Sequence, residues 1–155
     1  MWIAPEEKDP ILLHHPTRKS VGYFGAVCLR TGMLVTQRED ESFNGQTFWT
    51  FLQTLRERTK ANGRKTVIII DNARFHHAKM HKEWRMVQER DFVLEFLPPY
   101  SPQLNPIERV WKLTRRLCLH NRYFPTLDAV VTSVEQQFSV WSESSEVLRK
   151  LCAIT

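Results

Sequence analysis

The sequence contains few cysteines and no long hydrophobic run, and these absences exclude several classes of protein. Its three cysteines, Cys28, Cys118 and Cys152, are scattered and form no C-x-x-C pair. They therefore predict the reduced thiols of a cytosolic protein rather than a disulfide framework. No apolar run approaches the length that crosses a membrane, so we expect no membrane partner. The N-terminal residues MWIAPEEKDP lack the basic and apolar regions of a signal peptide.

The chain shows no internal repeat, low-complexity segment or linker, which favours a single domain over residues 1–155. Its 155 residues can bury one core but are too few for two independently stable domains of ordinary size. A hydrophobic content of 42% and a charged content of 25% are typical of a soluble globular protein. The net charge of +5 fits a polyanionic partner without requiring one.

Hydrophobic periodicity predicts the element order β-β-α-β-α-β-α-α, which indicates an α/β architecture in which a hairpin leads into a parallel sheet. The apolar run TVIII predicts a strand buried on both faces, and Asn44 is the expected N-cap of the first helix. The strands of this order cover 21–30, 33–38, 66–70 and 92–97, and its helices cover 45–60, 76–88, 106–120 and 126–140. A short strand over 11–15 and a short helix over 145–152 are further candidates.

Two carboxylates, Asp71 and Glu108, are the candidate catalytic and metal-binding residues. Asp71 ends the TVIII strand, where α/β sheets present functional groups, although a cap of the next helix or an Asx turn with Asn72 is the alternative interpretation. Glu108 begins a helix, where it also fits a capping box with Asn105 at the N-cap and Pro106 at N1. A strand-end carboxylate and a helix-start carboxylate can together direct Mg²⁺ at a phosphodiester.

Three histidines follow Asp71 closely. His77 and His81 have the i, i+4 spacing of a zinc pair, but no third ligand stands at a recognisable spacing. The sequence therefore favours surface histidines on an amphipathic helix. His76 comes five residues after Asp71 and is a candidate orienting or DNA-contacting group.

The segment that leads to Glu108 and the helix that follows it have distinct compositions. Four closely spaced prolines predict a stiff loop that aims the helix at the sheet. Beyond Glu108 the residues up to 122 include no acid, which favours binding to the DNA backbone over a merely solvated face. The candidate DNA-binding residues are Arg109, Lys112, Arg115, Arg116 and Arg122, and the expected buried stripe is Ile107, Val110, Trp111, Thr114 and Leu117.

DNARFHH followed by LPPYSPQLNPIERVW resembles the DDE catalytic domain of mariner-like transposases, in the bacterial branch named for insertion sequence 630. RKSVGYFGAV and FNGQTFWTFLQTL fit its upstream part. The resemblance implies an RNase H-like mixed sheet with flanking helices, and two Mg²⁺ (or Mn²⁺) ions held by Asp, Asp and Glu. Asp71 matches the second Asp and Glu108 the final Glu, while Asn72, His76 and Asn105 match supporting positions.

The sequence departs from the family pattern at the first Asp, which the family carries on its first strand. None of the nearby acids stands on a matching strand, and the helix-turn-helix that recognises transposon ends has no counterpart. The resemblance thus implies that the central first strand is missing and that two hydrogen-bonding edges are exposed. We expect the chain to be unstable or prone to aggregation alone, unless ILLHH or an upstream polypeptide supplies this strand.

The resemblance also implies partners and a location. DNA is the expected partner, as transposon ends and a TA target, and a homodimer and an upstream transposase fragment are further candidates. The expected location is the bacterial cytoplasm, associated with the nucleoid when bound to DNA. The first functional hypothesis is an insertion-sequence transposase that is inactive alone. The alternatives are a non-catalytic DNA-binding or dimerisation remnant, and an unrelated nuclease that adds a local acid such as Asp40.

Overall fold

The computed structural model describes residues 13–14 and 20–154 of the chain, so most of the predicted irregular N-terminal segment lies outside the described residues. Within these ranges no helix is long and apolar enough to span a membrane. The strands are β1 Leu13–His14, β2 Gly22–Val27, β3 Leu34–Glu39, β4 Thr66–Ile70, β5 Phe92–Phe96 and β6 Tyr123–Phe124. The helices are α1 Gly45–Thr59, α2 Lys82–Gln88, α3 Ile107–Thr114, α4 Leu127–Val140 and α5 Glu146–Leu151.

The described strands pair as three two-stranded sheets, and the chain divides into two compact units. The first unit runs to Asp40 and resumes at Pro106. It contains the antiparallel hairpin of β2 and β3, the short parallel pair of β1 and β6, and helices α3 to α5. Its core is built mainly from large apolar side chains, including Tyr23, Leu34, Val110, Val134 and Leu148.

The second unit covers Glu41–Asn105 and carries the parallel pair of β4 and β5 with helices α1 and α2. Asn44 caps α1 as predicted, because its side chain accepts bonds from Gln46 and Thr47 while the Thr47 hydroxyl accepts from the Asn44 amide. Gly63, with a φ of 59°, ends the short 3₁₀ turn that follows α1.

Two predictions about the second unit are wrong. TVIII is a strand but is not buried on both faces, because Val67 and Ile69 remain 51% and 41% exposed. The helix predicted from residue 76 begins only at Lys82. Ala78 has an extended ψ of 137°, and this divides the preceding residues into two 3₁₀ turns.

The helix that begins near Glu108 is confirmed, with two local differences. Pro106 stands at the N-cap rather than at N1, and it has no side-chain capping bond. The predicted buried stripe holds at its first four positions, but Leu117 is exposed and Cys118 is buried. The reason is that Arg115–Leu119 forms a π-helix, which adds a residue to the turn and moves the buried face along by one position.

Candidate active site

Asp71 lies at the carboxyl end of the parallel pair of strands in the second unit. Ile70 pairs with Phe96 at the end of β4 and β5, and the Leu97 amide donates to the Ile70 carbonyl at 2.7 Å. The side-chain amide of Asn72 donates to the Leu97 carbonyl. This bond ties the ends of the two strands together.

One oxygen of the Asp71 carboxylate is held from two sides. The Ala73 amide donates to Oδ1 at 3.0 Å, which forms the Asx turn considered as the alternative interpretation. His76 Nδ1 lies 2.9 Å from the same oxygen. Within the described ranges neither bond reaches Oδ2, and the side chain is 54% exposed. The Asx turn and the His76 contact therefore both use Oδ1 and leave Oδ2 outside these two bonds.

The environment of Asp71 favours its ionised form. The hydrogen bond with His76 lowers the pKa of Asp71 below its usual value, and the Ala73 amide adds to this effect. Partial burial opposes the shift but does not reverse it. Asp71 is consequently an anion at neutral pH, as a ligand of a hard cation must be.

His76 is a buried residue in contact with Asp71, not the surface histidine that the sequence favoured. It is 6% exposed, and its Nδ1 lies 2.9 Å from the Asp71 backbone carbonyl as well as from Oδ1. Its ring centroid lies 4.4 Å from that of Phe48 and 4.4 Å from that of Phe75. The two aromatic rings fix the imidazole, and the imidazole fixes the carboxylate. Phe48 and Phe75 were not foreseen as part of the site.

The other two histidines do not form a zinc pair. His81 is fully buried, its Nε2 lies 3.1 Å from the Phe75 carbonyl, and burial lowers its pKa. His77 is exposed, with Nε2 3.1 Å from Asn72 Oδ1 and its ring stacked on Phe96 at 4.1 Å. In the part of the chain that the structure describes, no three His, Cys, Asp or Glu side chains cluster in a way that could hold a metal ion.

Glu108 belongs to the first unit, whereas Asp71 belongs to the second. It is half-buried in the first turn of α3, where the helix dipole favours a carboxylate. Asn105 belongs to the unit of Asp71 and ends the proline-rich loop, where its amide donates to the Pro102 carbonyl at 2.9 Å.

The predicted basic residues of α3 and the following turns differ in their surroundings. Lys112, Arg116 and Arg122 are exposed, whereas Arg115 is half-buried. The Arg109 guanidinium donates to the carbonyls of Leu151 and Ala153, each at 3.1 Å. Arg109 thus satisfies carbonyl groups at the end of α5, a role that the sequence pattern does not reveal.

The donor chemistry at Asp71 fits the divalent ion that the family resemblance implies. Mg²⁺ prefers carboxylate oxygens, and Asp71 is an ionised, oriented carboxylate whose side chain is about half exposed. Asp71 alone supplies a single ligand, so a complete site needs further carboxylates.

A family model described as DDE superfamily endonuclease matches residues 2–131. An uncharacterized protein of Sinorhizobium fredii, y4pE/y4sA, is 33% identical over 115 residues, which cover 70% of this chain and 76% of that protein.

Two crystal structures have a similar fold. The catalytic domain of Mos1 mariner transposase matches with a TM-score of 0.65 and 14% identity, over 95% of this chain and 78% of that chain. The Mos1 strand transfer complex matches with a TM-score of 0.63 and 17% identity, over 89% of this chain, which spans only 41% of that chain. At these identities the likeness establishes the fold alone, and it confirms the predicted α/β class similar to a mariner transposase catalytic domain.

Proposed function

Because this chain belongs to the DDE superfamily endonuclease family, we propose that it is a catalytic domain of an insertion-sequence transposase of the mariner-like superfamily, in the branch named for insertion sequence 630. The reaction is metal-dependent cleavage of DNA followed by strand transfer into a TA target. DNA is the substrate of this reaction, and Mg²⁺ or Mn²⁺ is its cofactor.

The observation that carries this proposal is the state of the Asp71 carboxylate. It is ionised, it stands at the carboxyl end of a strand, and both of its hydrogen-bond contacts are made by Oδ1 while the side chain remains half exposed. A carboxylate that merely closed a turn would not need a buried histidine held between two aromatic rings. This arrangement resembles the outer contacts that orient a metal ligand in a protein site.

In the proposed mechanism the residues of this chain orient the metal ligands and neutralise the charge of the DNA phosphates. Asp71 offers Oδ2 as a metal ligand, and His76 with the Ala73 amide keeps that oxygen in one orientation. Glu108 offers a second carboxylate. When bound, Mg²⁺ supplies activation of water or of a 3′-hydroxyl and stabilisation of the leaving oxygen. The exposed Lys112, Arg116 and Arg122 bind the phosphate backbone.

We further propose that the chain needs a third carboxylate and another strand from outside the described elements before it cleaves DNA. In β4, Thr66 and Ile70 direct their backbone groups to the β5 side, so Val67 and Ile69 direct theirs to the opposite edge. Among the described strands only β5 pairs with β4. The side chains of Val67 and Ile69 stand on one face of this strand pair and remain exposed, so that face is not covered either.

Cleavage assays with matched variants test the function. The chain is assayed on supercoiled DNA with Mg²⁺ or Mn²⁺, alone and together with the polypeptide encoded directly upstream of the Met1 codon. Asp71→Asn and Glu108→Gln should each abolish cleavage by the reconstituted protein, whereas the exposed controls Asp91→Asn and Glu143→Gln should retain it. Unchanged cleavage in both site variants would contradict the site assignment.

A non-catalytic DNA-binding remnant is the second candidate, and the exposed basic residues after Glu108 favour it. It requires DNA binding that weakens with salt, persists without metal and survives Asp71→Asn and Glu108→Gln. Binding of this kind, with no cleavage after reconstitution, would replace the catalytic proposal with this one.

A further inference from the structure

The loop between β5 and α3 contains a tyrosine that combines a left-handed backbone conformation with a fully exposed side chain. Tyr100 has a φ of 57°, which is the left-handed region, and its side chain is 100% exposed. Side chains with a Cβ rarely adopt this backbone conformation, because the Cβ crowds a neighbouring carbonyl oxygen. In the described part of the chain the other non-glycine residue with positive φ is Asn121, a residue type that tolerates it.

The folded unit gains nothing from an aromatic ring at position 100. A fully exposed side chain buries no surface, so it does not offset the strain of its own backbone. Glycine would adopt the same φ without strain. The presence of an aromatic ring at this position therefore indicates a contact with another molecule.

The loop holds Tyr100 in a defined position. Pro98 and Pro99 precede it, and Pro102 begins a 3₁₀ turn directly after it. The Ser101 hydroxyl donates to the Pro99 carbonyl at 3.2 Å. Prolines and this local bond restrict the backbone, so the ring loses little further freedom when it binds.

Tyr100 is also close to Asp71, because both belong to the same unit and both follow paired strand ends. Leu97 follows Phe96, the partner of Ile70, so it lies beside Asp71 at about the 4.8 Å spacing of neighbouring strands. Three further residues reach at most about 11 Å. Since bases along one strand are about 3.4 Å apart, Tyr100 is within about five nucleotides of a phosphodiester held at Asp71.

We propose that Tyr100 stacks on an unpaired nucleobase of the DNA beside the phosphodiester that Asp71 addresses. This inference rests on the proposed function, because it assigns a contact to the same DNA substrate. A base offers an aromatic face whatever its sequence, and an unpaired base has that face free. The net charge of +5 favours a nucleic acid over a neutral partner for this ring.

The test uses the full chain and two fluorescent probes, a fully paired duplex and the same duplex with a short single-stranded flap. Tyr100→Ala should weaken binding of the flap probe by about 5- to 100-fold and leave binding of the duplex unchanged. Tyr100→Phe should bind both probes as the wild type does, because it keeps the ring. Tyr123→Ala, which removes another exposed tyrosine, should have no effect.

Tyr100→Gly separates the contact from folding. It should raise the thermal midpoint by relieving the backbone strain, and yet weaken flap binding as Tyr100→Ala does. If Tyr100→Ala binds the flap as well as the wild type, or loses only self-association, the stacking role is wrong. If the wild type binds neither probe, the stacking role and the proposed function both fail.

Discussion

Nδ1 of His76 lies 2.9 Å from Oδ1 of Asp71, and this contact joins the buried aromatic cluster of the second unit to its exposed strand end. His76 is held between Phe48 and Phe75, so its imidazole cannot turn away without disturbing the packing. Because His76 is buried and Asp71 is half exposed, His76 can orient the Asp71 carboxylate while Asp71 alone faces a metal ion.

Substitution of His76 by two amides should show which ring nitrogen matters. The side-chain nitrogen of His76→Asn stands near the place of Nδ1, whereas that of His76→Gln reaches toward Nε2. We expect Mn²⁺ affinity of the chain to fall by about 10- to 100-fold in His76→Gln and to fall less in His76→Asn. Titration with Mn²⁺ followed by electron paramagnetic resonance measures both, with His77→Gln as the exposed control. Equal losses in the two variants would indicate a purely structural histidine.

The sequence predicted the position of Asp71 because a strand-end carboxylate after an apolar run is a local pattern. The spacing made His76 a candidate orienting or DNA-contacting residue, but it could not predict that His76 and His81 are buried. That burial depends on Phe48, which comes from a distant helix, and on Ala78, whose extended backbone breaks the expected helix. Contacts between distant segments are not visible in periodicity.

The exposure of Val67 and Ile69 could not be foreseen from TVIII for the same reason. An apolar run reports that a strand can be buried, and only its neighbours decide whether it is. The π-helix after Thr114 likewise adds a residue to one turn, which the regular 3.6-residue period cannot predict. The exposed Leu117 shows its consequence.

Gly25 should not tolerate a side chain, because β2 passes close to a buried ring of the same unit. A Cβ at position 25 would lie 2.3 Å from Cη2 and 2.6 Å from Cζ2 of Trp111. The indole is almost fully buried, so Gly25→Ala should lower the free energy of unfolding by about 1–3 kcal/mol. Urea unfolding measures this. In a Trp111→Leu background the same substitution should have a smaller effect, and an equal effect would contradict the proposed clash.

The hydrogen bond between Tyr23 and Glu135 should make the stability of the chain sensitive to alkaline pH. The Tyr23 hydroxyl donates to Glu135 at 2.9 Å, and burial, followed by this bond, raises the pKa of Tyr23. Above about pH 10 the unfolded chain loses this proton while the folded chain keeps it, so stability falls as the pH rises. Below about pH 10 the contribution is fully present.

Tyr23→Phe tests this relationship. At pH 8 it should lower the free energy of unfolding by about 0.5–1.5 kcal/mol, through loss of the hydrogen bond. From pH 10 upward the difference from the wild type should shrink, because the variant has no proton to lose at this position. Unfolding curves at several pH values measure it, with the exposed Tyr123→Phe as control. A difference that is constant with pH would contradict the assignment.

The edge of β4 that pairs with none of the described strands should make the chain associate with itself, and a charge on β4 should prevent this association. Val67 and Ile69 direct their backbone groups away from β5, to the edge on which another strand adds, and their exposed apolar side chains flank that edge. Val67→Lys and Ile69→Lys should therefore convert concentration-dependent oligomers into monomers, as measured by size-exclusion chromatography with light scattering. Val87→Lys, on the exposed face of α2 in the same unit, should not. A monodisperse wild-type chain with a cooperative thermal transition would mean that the edge is already satisfied, and the proposal of an additional strand would then be wrong.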